Sequence, residues 1–366
     1  MHIDLSVFSP NYKQARSQFL EATQLAGLSV DSYAHPSTGA AGELLFMDVV
    51  LHGDPASKSL LILSSACHGV EGFCGSGAQI AALRDPEWMA VVRDSGVAVL
   101  TIHALNPHGF SHLRRVTNEG VDLNRNFHSF KEPLPDNDQY RQLHHLLLPM
   151  QWPPTQTVVQ SLQDFHAAHP AGAFQSAVTR GQYTHPDGLF FGGTSPTWSN
   201  QTLRQVLRKY GQRCEQLAWI DYHTGLGPRG FAERIFAGPD DAAAFARAKA
   251  WWGSDGATPI TSVYDGSSTS AFLTGLMWTA AVEECPQAQY TGIAMEYGTA
   301  PMMAVIDALR ADHWLQSHPE ATAALRQSIK QNIRDAFYCD ADDWKLMVIA
   351  QSRAALQQAI KGLRRP

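Results

Sequence analysis

The sequence predicts an α/β protein: a mixed, mostly parallel, doubly wound sheet flanked by helices. Three observations carry that expectation. Short runs of nearly uninterrupted apolar residues recur, such as LLILSSA at 60–66 and VAVLTIH at 97–103. Strands covered by helices on both faces read this way, because neither face meets water. Segments with apolar residues at helical spacing separate these runs. Strand and helix therefore alternate, as in sheets built from crossover connections.

Taken in order, Phe19, Leu20, Ala22 and Ala26 place an opening amphipathic helix over 10–26. Strands are expected at 43–51 (ELLFMDVVL) and 60–66, followed by a helix at 75–83 and a strand at 97–103. Residues 128–191 are the least regular, with Pro133, Pro135, Trp152-Pro153-Pro154 and the Gly/Pro-rich end HPDGLFFGGTSPTW. They read as an insertion at a sheet edge holding two short helices. Beyond it come a helix at 200–217, strands at 217–223 (LAWIDYH) and 291–297 (TGIAMEY), and a helix at 241–252. Helical patterns at 301–315, 320–337 and 340–363 complete the chain. The run from Trp344 to Arg364 is amphipathic and basic and reads as a closing helix with a solvated face rather than a membrane-surface segment. The expectation for the whole, residues 1–366, is one domain with this insertion and a helical region over 301–366.

Composition narrows the function classes. The chain of 366 residues has 28 Lys and Arg against 34 Asp and Glu, a net charge of −6, with 44% hydrophobic and 17% charged residues. Disorder needs low hydrophobicity and high net charge, which this chain lacks. A nucleic-acid partner is not expected, because there is no basic excess to neutralise phosphates. No apolar run approaches the length of a membrane span, and the first residues lack the basic start and apolar stretch of a secretory leader. Five cysteines (Cys67, Cys74, Cys214, Cys285, Cys339) form no CxxC pair and suit reduced thiols, so a cytoplasmic protein is expected. Sixteen histidines invite a search for metal ligands.

Four polar groups follow the predicted strands, where open α/β sheets bind ligands. His68-Gly69-Val70-Glu71 comes directly after 60–66; an imidazole and a carboxylate three residues apart can converge on one cation. His223 ends 217–223 in DYHTG, and Glu296 ends an otherwise apolar strand in AMEYGT. The run at 106–127, NPHGFSHLRRVTNEGVDLNRNF, carries Arg114, Arg115, Asn124 and Arg125. Two His and one Glu form a zinc donor set that leaves a fourth position for water. Each feature alone is common; their order, each at a strand end, gives them weight.

These segments resemble the zinc carboxypeptidase (carboxypeptidase A-like) metallopeptidases, especially their compact bacterial members. HGVEGFCGS is similar to the HxxE zinc motif, NPHGF and GVDLNRNF to the NPDG and GVDLNRN signatures, DYHTG to the third-ligand position, and AMEYGT to the strand of the catalytic glutamate. The resemblance covers about residues 43 to 300. It implies that His68, Glu71 and His223 hold one Zn2+ per chain and that Glu296 serves as general base and then acid. Arg115 falls at the carbonyl-polarising position, with adjacent Arg114 as the alternative. Asn124 and Arg125 are implied to grip the substrate's terminal carboxylate, and Tyr264, in SVYDGSSTSAF, to match a mobile active-site tyrosine, though across a longer gap to Glu296. Asp122 and Asp221 are candidates for orienting the ligands. His108 stands where the family has the NPDG aspartate.

The implied activity is cleavage of an amide beside a free carboxylate, by a metallocarboxypeptidase acting on peptides. The alternative is an N-acyl amino acid deacylase resembling aspartoacylase and succinylglutamate desuccinylase, which share the zinc set but add a β-rich C-terminal domain where 301–363 reads as helical. A cysteine nucleophile at Cys67 or Cys74 would want an electropositive, partly exposed setting, and no Cys signature surrounds either residue. GFCGSG lacks the Lys-Ser/Thr of a phosphate loop. A binding module without catalysis has no reason to keep ligands, base and carboxylate clamp together.

Overall fold

The computed structural model describes residues 4–253, 256 and 258–364. The expected strands are there: β2 (Leu44–His52), β3 (Ser59–Ser64), β4 (Ala98–His103), β5 (Gln216–Gly225) and β8 (Gln289–Gly298). Three more complete an eight-stranded sheet: β1 (Val30–Thr38), β6 (Ala232–Phe236) and β7 (Ile260–Thr261). The spatial order is β1-β2-β4-β3-β5-β8-β6-β7. The central strands β4, β3, β5 and β8 run parallel, β1 and β2 are antiparallel additions on one side, and β6 is antiparallel to β8. The sheet is thus mixed and mostly parallel, as expected.

The strands that sequence reading missed lack the apolar signature for physical reasons. β1 is an edge strand whose residues are mostly half-buried or exposed, so nothing demands an apolar run. β6 (AERIF) is wholly buried yet contains Glu233 and Arg234. Glu233 is matched there by donors, Thr261 Oγ1 at 2.5 Å and Thr269 N at 3.1 Å.

Helices cover both faces. Against one pack α1 (Tyr12–Leu25), α2 (Gly72–Leu83), α9 (Ala242–Trp252) and α13 (Asp342–Leu363), enclosing Leu61, Leu63, Ile220, Ile293 and Met295. Against the other lie α8 (Trp198–Gly211) and α10 (Thr279–Glu284), over Leu60, Ile62, Leu217 and Trp219. The short helices α3 (Pro86–Ser95) and α4 (Pro107–Ser111) each begin with proline behind a capping side chain. Asp85 accepts from Glu87 N and Trp88 N, and Asn106 from Gly109 N, satisfying donors that a helix start leaves open.

A third apolar cluster forms over the carboxyl ends of the strands. It joins α5 (Asp138–Leu147), α6 (Gln156–Ala168) and α7 (Ala173–Thr179) to α11 (Met302–Gln316) and α12 (Ala323–Phe337) through Tyr140, Leu143, Leu162, Phe174, Ile306, Leu309 and Phe337. Residues 128–191 were expected at a sheet edge with two short helices. They hold three, and they pack with the C-terminal helices, because their apolar faces need a partner that the edge strands do not offer. Among the described residues, no helix is long and apolar enough to cross a membrane.

Candidate metal centre

The chain leaves β3 and β4 through tight turns at their carboxyl ends. Ala66 (φ 56°) and Ala104 (φ 60°) adopt left-handed conformations that cost a non-glycine residue about 1 kcal/mol or more. Leu105 N donates to Ser65 O and Asn106 N to Ala66 O, both at 2.9 Å, so the two turns hold each other. The HGVE turn then docks against the NPHG and RR segments. Gly69 N donates to Arg115 O at 3.1 Å and Val70 N to Arg114 O at 2.9 Å. Backbone meets backbone at Gly69: a Cβ there would lie 2.1 Å from the Gly109 carbonyl carbon. Glycine at both positions is therefore what lets two distant motifs form one wall.

That wall aims three side chains at one point. His68 Nδ1 lies 2.8 Å from Glu71 Oε1, and His223 Nδ1 lies 3.2 Å from Glu71 Oε2 and 3.3 Å from His68 Nδ1. All three residues are buried, and their ligand atoms lie within 4.8 Å of one another. The far side of each imidazole is committed. His223 Nε2 donates to Asp221, whose other oxygen accepts from Ser64 Oγ at 2.5 Å. Ser64 Oγ in turn accepts from Trp219 Nε1 at 2.7 Å. His68 Nε2 faces Asp122 Oδ1 at 3.1 Å and Arg115 Nη2 at 2.8 Å. Arg115 can only donate to that nitrogen, which requires Nε2 as acceptor, whereas donation from Nε2 to Asp122 gives the tautomer that leaves Nδ1 free.

The donor set fits a divalent metal. Two imidazole lone pairs and a carboxylate converge, and each imidazole has a carboxylate behind it, the usual device for fixing a ligating histidine. The electrostatics agree. Burial works against charge on His223, yet the Asp221 and Glu71 carboxylates outweigh it and hold the imidazolium well above its ordinary range. Burial likewise opposes ionisation of Asp122, but Arg115 and His68 keep it well below the usual carboxylate range. The same carboxylates that favour a proton on His223 would favour a bound cation in its place.

Around the triad lies a cavity that contains Arg115, Asn124, Arg125 and Glu296 as well. The β5–β8 register pairs His223 with Glu296. Glu296 Oε1 accepts from Leu226 N at 2.9 Å. Its carboxyl is pushed up to about 7, first by burial and then by the Glu71 charge. Arg115 donates through Nε to Asp122 at 2.9 Å and through Nη1 to Glu71 at 3.1 Å. Arg114 points away, its Nε donating to Asp312 at 3.0 Å, so of the two adjacent arginines only Arg115 enters the cavity.

Arg125 is buried, with Nε and Nη2 donating to Thr179 O at 3.0 and 2.6 Å and Nη1 to Asn124 O at 2.8 Å. Both arginines lie against the Phe190 ring, 4.9 Å for Arg115 and 5.7 Å for Arg125. Asn124 Oδ1 accepts from Met277 N at 2.8 Å. Tyr264 is not brought to the site. Its hydroxyl donates to Gly238 O at 2.9 Å and its ring lies beside Phe272, outside the cavity lining. The longer gap between Tyr264 and Glu296 is room for the chain to carry it elsewhere.

His108, at the aspartate position of NPDG, stacks on His112 at 4.2 Å and does not touch the triad. Cys67 and Cys74 are buried, and burial, with the nearby carboxylates, pushes both thiols up, which disfavours a thiolate at either. Sequence reading did not anticipate the contribution of residues 128–191, where Thr179 holds the Arg125 guanidinium and Phe190 underlies it. No periodic or motif signal marks either residue.

A family model described as "Protein of unknown function (DUF2817)" matches residues 8–351. No curated protein matches the sequence. Among solved structures, the chain is similar to thrombin activatable fibrinolysis inhibitor, at 12% identity over 88% of this chain and 77% of the other, with a TM-score of 0.44. It is similar to a metallo-carboxypeptidase from Burkholderia cenocepacia, at 11% identity over 92% and 68%, TM-score 0.41. It is also similar to a succinylglutamate desuccinylase from a Silicibacter species, at 14% identity over 84% and 65%, TM-score 0.38.

Proposed function

The chain belongs to the DUF2817 family, and from its site we propose that it is a zinc-dependent hydrolase cleaving an amide bond beside a free carboxylate, as a metallocarboxypeptidase acting on peptides. One observation carries the reading: a buried His68–Glu71–His223 donor set shares its cavity with Arg125, a buried cation. Among the described residues, no carboxylate lies within ion-pair distance of that guanidinium, and its hydrogen bonds go to neutral carbonyls. A substrate carboxylate is its natural complement.

Zinc bound by these residues supplies a Lewis acid for the carbonyl and lowers the pKa of water from 15.7 to about 7. The protein's own groups do the rest. Glu296, with Oε1 engaged by Leu226 N, accepts a proton from the attacking water and returns it to the departing nitrogen. Arg115, anchored by Asp122, faces the charge that grows on the carbonyl oxygen; losing one such donor typically costs about 2.7–4 kcal/mol in the transition state. Arg125 and Asn124 hold the terminal carboxylate and so fix which amide reaches Glu296.

A second reading, an N-acyl amino acid deacylase, is favoured by the cavity walls. Phe190 and Thr179 from residues 128–191, with Met302, Ile306, Leu309 and Phe337 from α11 and α12, close in on the triad. Such walls suit a short acyl group. The residues after β8 form α11, α12 and α13.

The test is a comparative assay of zinc-loaded protein on peptides with free C-termini, the same peptides amidated, and N-acyl amino acids. Hydrolysis of the free-carboxylate peptides alone supports the peptidase. Hydrolysis of N-acyl amino acids alone replaces it with the deacylase, and equal hydrolysis of the amidated peptides removes the carboxylate clamp. Metal analysis should find about one zinc per chain, lost in His68→Ala.

A further inference from the structure

Between β7 and α10 the chain runs along the cavity without helix or strand, over residues 262–278. Val263, Ser270 and Leu273 of this strap line the cavity together with Ile235 of β6 and Gln175 of α7. One exposed residue, Thr269, ties the strap to both of those elements. Its N–H donates to Glu233 of β6 at 3.1 Å, and its hydroxyl donates to the same carboxylate. Its carbonyl accepts from Gln175 Nε2 of α7 at 2.8 Å. Further along, Met277 N donates to Asn124 Oδ1, so the strap ends at a residue of the proposed carboxylate clamp. Glu233 is also placed close to the chemistry. The β6–β8 register sets it opposite Glu296, and the β5–β8 register sets His223 on the other side of Glu296, so the three share one face of the sheet.

We infer that Glu233 is a positioning residue, which fastens the strap along the cavity and so holds a wall against which substrate binds. The inference rests on the hydrolase reading above. Glu233 is only 4% exposed, and among the described residues its partners are neutral: the Thr261 hydroxyl and the N–H and hydroxyl of Thr269. A buried carboxylate is costly to desolvate, and neutral donors repay that less fully than a cation does. An apolar side chain would fill the same place in the strand at lower cost. What the carboxylate adds is the hold on Thr269, which supplies two of its three donors. Glu296 and Arg115 are oriented by other contacts, Leu226 N and Asp122, so releasing the strap leaves the reacting groups in place. The wall meets ground state and transition state alike, and its loss therefore falls on KM rather than on kcat.

The test uses the zinc-loaded full-length chain and three variants. Glu233→Leu removes every acceptor, and Thr269→Val removes one hydroxyl from an exposed residue. Glu233→Gln keeps an acceptor for Thr269 N, while its amide donates to the Thr269 hydroxyl, which then accepts. Amide exchange over 262–273, peptide kinetics and calorimetric binding of N-acetyl-L-leucine are the readouts. Glu233→Leu is expected to speed exchange in the strap and to raise KM about tenfold, with kcat within about threefold of the parent. Glu233→Gln should restore most of both, and Thr269→Val should fall between. If Glu233→Leu does not fold, Thr269→Val decides by the same readouts. Strap exchange unchanged in the folded variants overturns the latch, and so does a loosened strap with KM at the parent value or a fall in kcat alone; each leaves the hydrolase reading standing. A parent that cleaves no peptide, yet binds N-acetyl-L-leucine more weakly in Thr269→Val, keeps the latch and overturns the hydrolase.

Discussion

Asp221→Asn separates the ligand-orienting network from the ligands themselves. Asp221 receives His223 Nε2–H on one oxygen and the Ser64 hydroxyl on the other, with Trp219 Nε1 behind Ser64. Asparagine keeps the shape but offers one acceptor. If that acceptor serves His223, the new amide N–H faces Ser64 Oγ, which already accepts from Trp219, and the serine proton loses its carboxylate. The His223 tautomer survives, but the imidazole loses the charge that raises its basicity. Loss of such a partner typically weakens metal binding 10- to 100-fold, about 1.4 to 2.7 kcal/mol.

The assay is competition for zinc against a chromophoric chelator at fixed pH, with His223→Ala as the full-loss reference and Trp219→Phe as a control that leaves the carboxylate in place. Trp219→Phe should change zinc affinity far less than Asp221→Asn. Zinc affinity in Asp221→Asn within twofold of the parent, while His223→Ala abolishes binding, would refute the claim that Asp221 holds the ligand.

Three other outcomes follow from the geometry. Glu296→Gln should retain zinc stoichiometry and lose turnover by about 10²- to 10⁴-fold, the usual share of a general base; full activity with normal zinc content would exclude that role. Asp312 is buried between Arg114 Nε at 3.0 Å and Lys330 Nζ at 2.6 Å, so Asp312→Ala leaves two cations without their carboxylate and should cost about 3–5 kcal/mol in urea unfolding. Stability should also fall in mild acid. Burial lowers His103 and His313 from 6.5 to about 4, so both are neutral in the fold. The contribution is fully present above about pH 6.5, where neither state is protonated, and is lost as pH falls towards about 4, because only the unfolded chain takes up those protons. At 1.36 kcal/mol per pKa unit, each can remove about 3 kcal/mol at most, and His103→Asn should flatten part of that slope in urea titrations between pH 7 and 4.

Much of the fold was legible because its strands are buried on both faces. β3 and β4 are apolar almost throughout, and their flanking helices repeat apolar residues at helical spacing. β1 was not legible, since an edge strand needs no such run, and β6 hid its burial behind Glu233 and Arg234. Cavity residues were legible where a motif tied residue type to a strand end: His68, Glu71, His223 and Glu296 all converge there. Tyr264 was matched by residue type across a gap of uncertain length, and its hydroxyl bonds Gly238 instead. Phe190 and Thr179 were invisible because an aromatic ring and a backbone carbonyl in an irregular segment carry no local signal.

By itself, the sequence determined the α/β class and the order of the chemistry-bearing residues along the chain, because burial and ligand type are written residue by residue. Only the tertiary structure decided between Arg114 and Arg115. Successive residues leave the backbone in different directions, and it took the docking of Gly69 against Gly109 and of Asp312 beside Arg114 to assign one to the cavity and one to the core. The tertiary structure likewise brought Phe190 to the cavity that Glu71 and Glu296 line, from a segment far from both in sequence. Such convergence depends on long-range packing, which no local pattern of residues encodes.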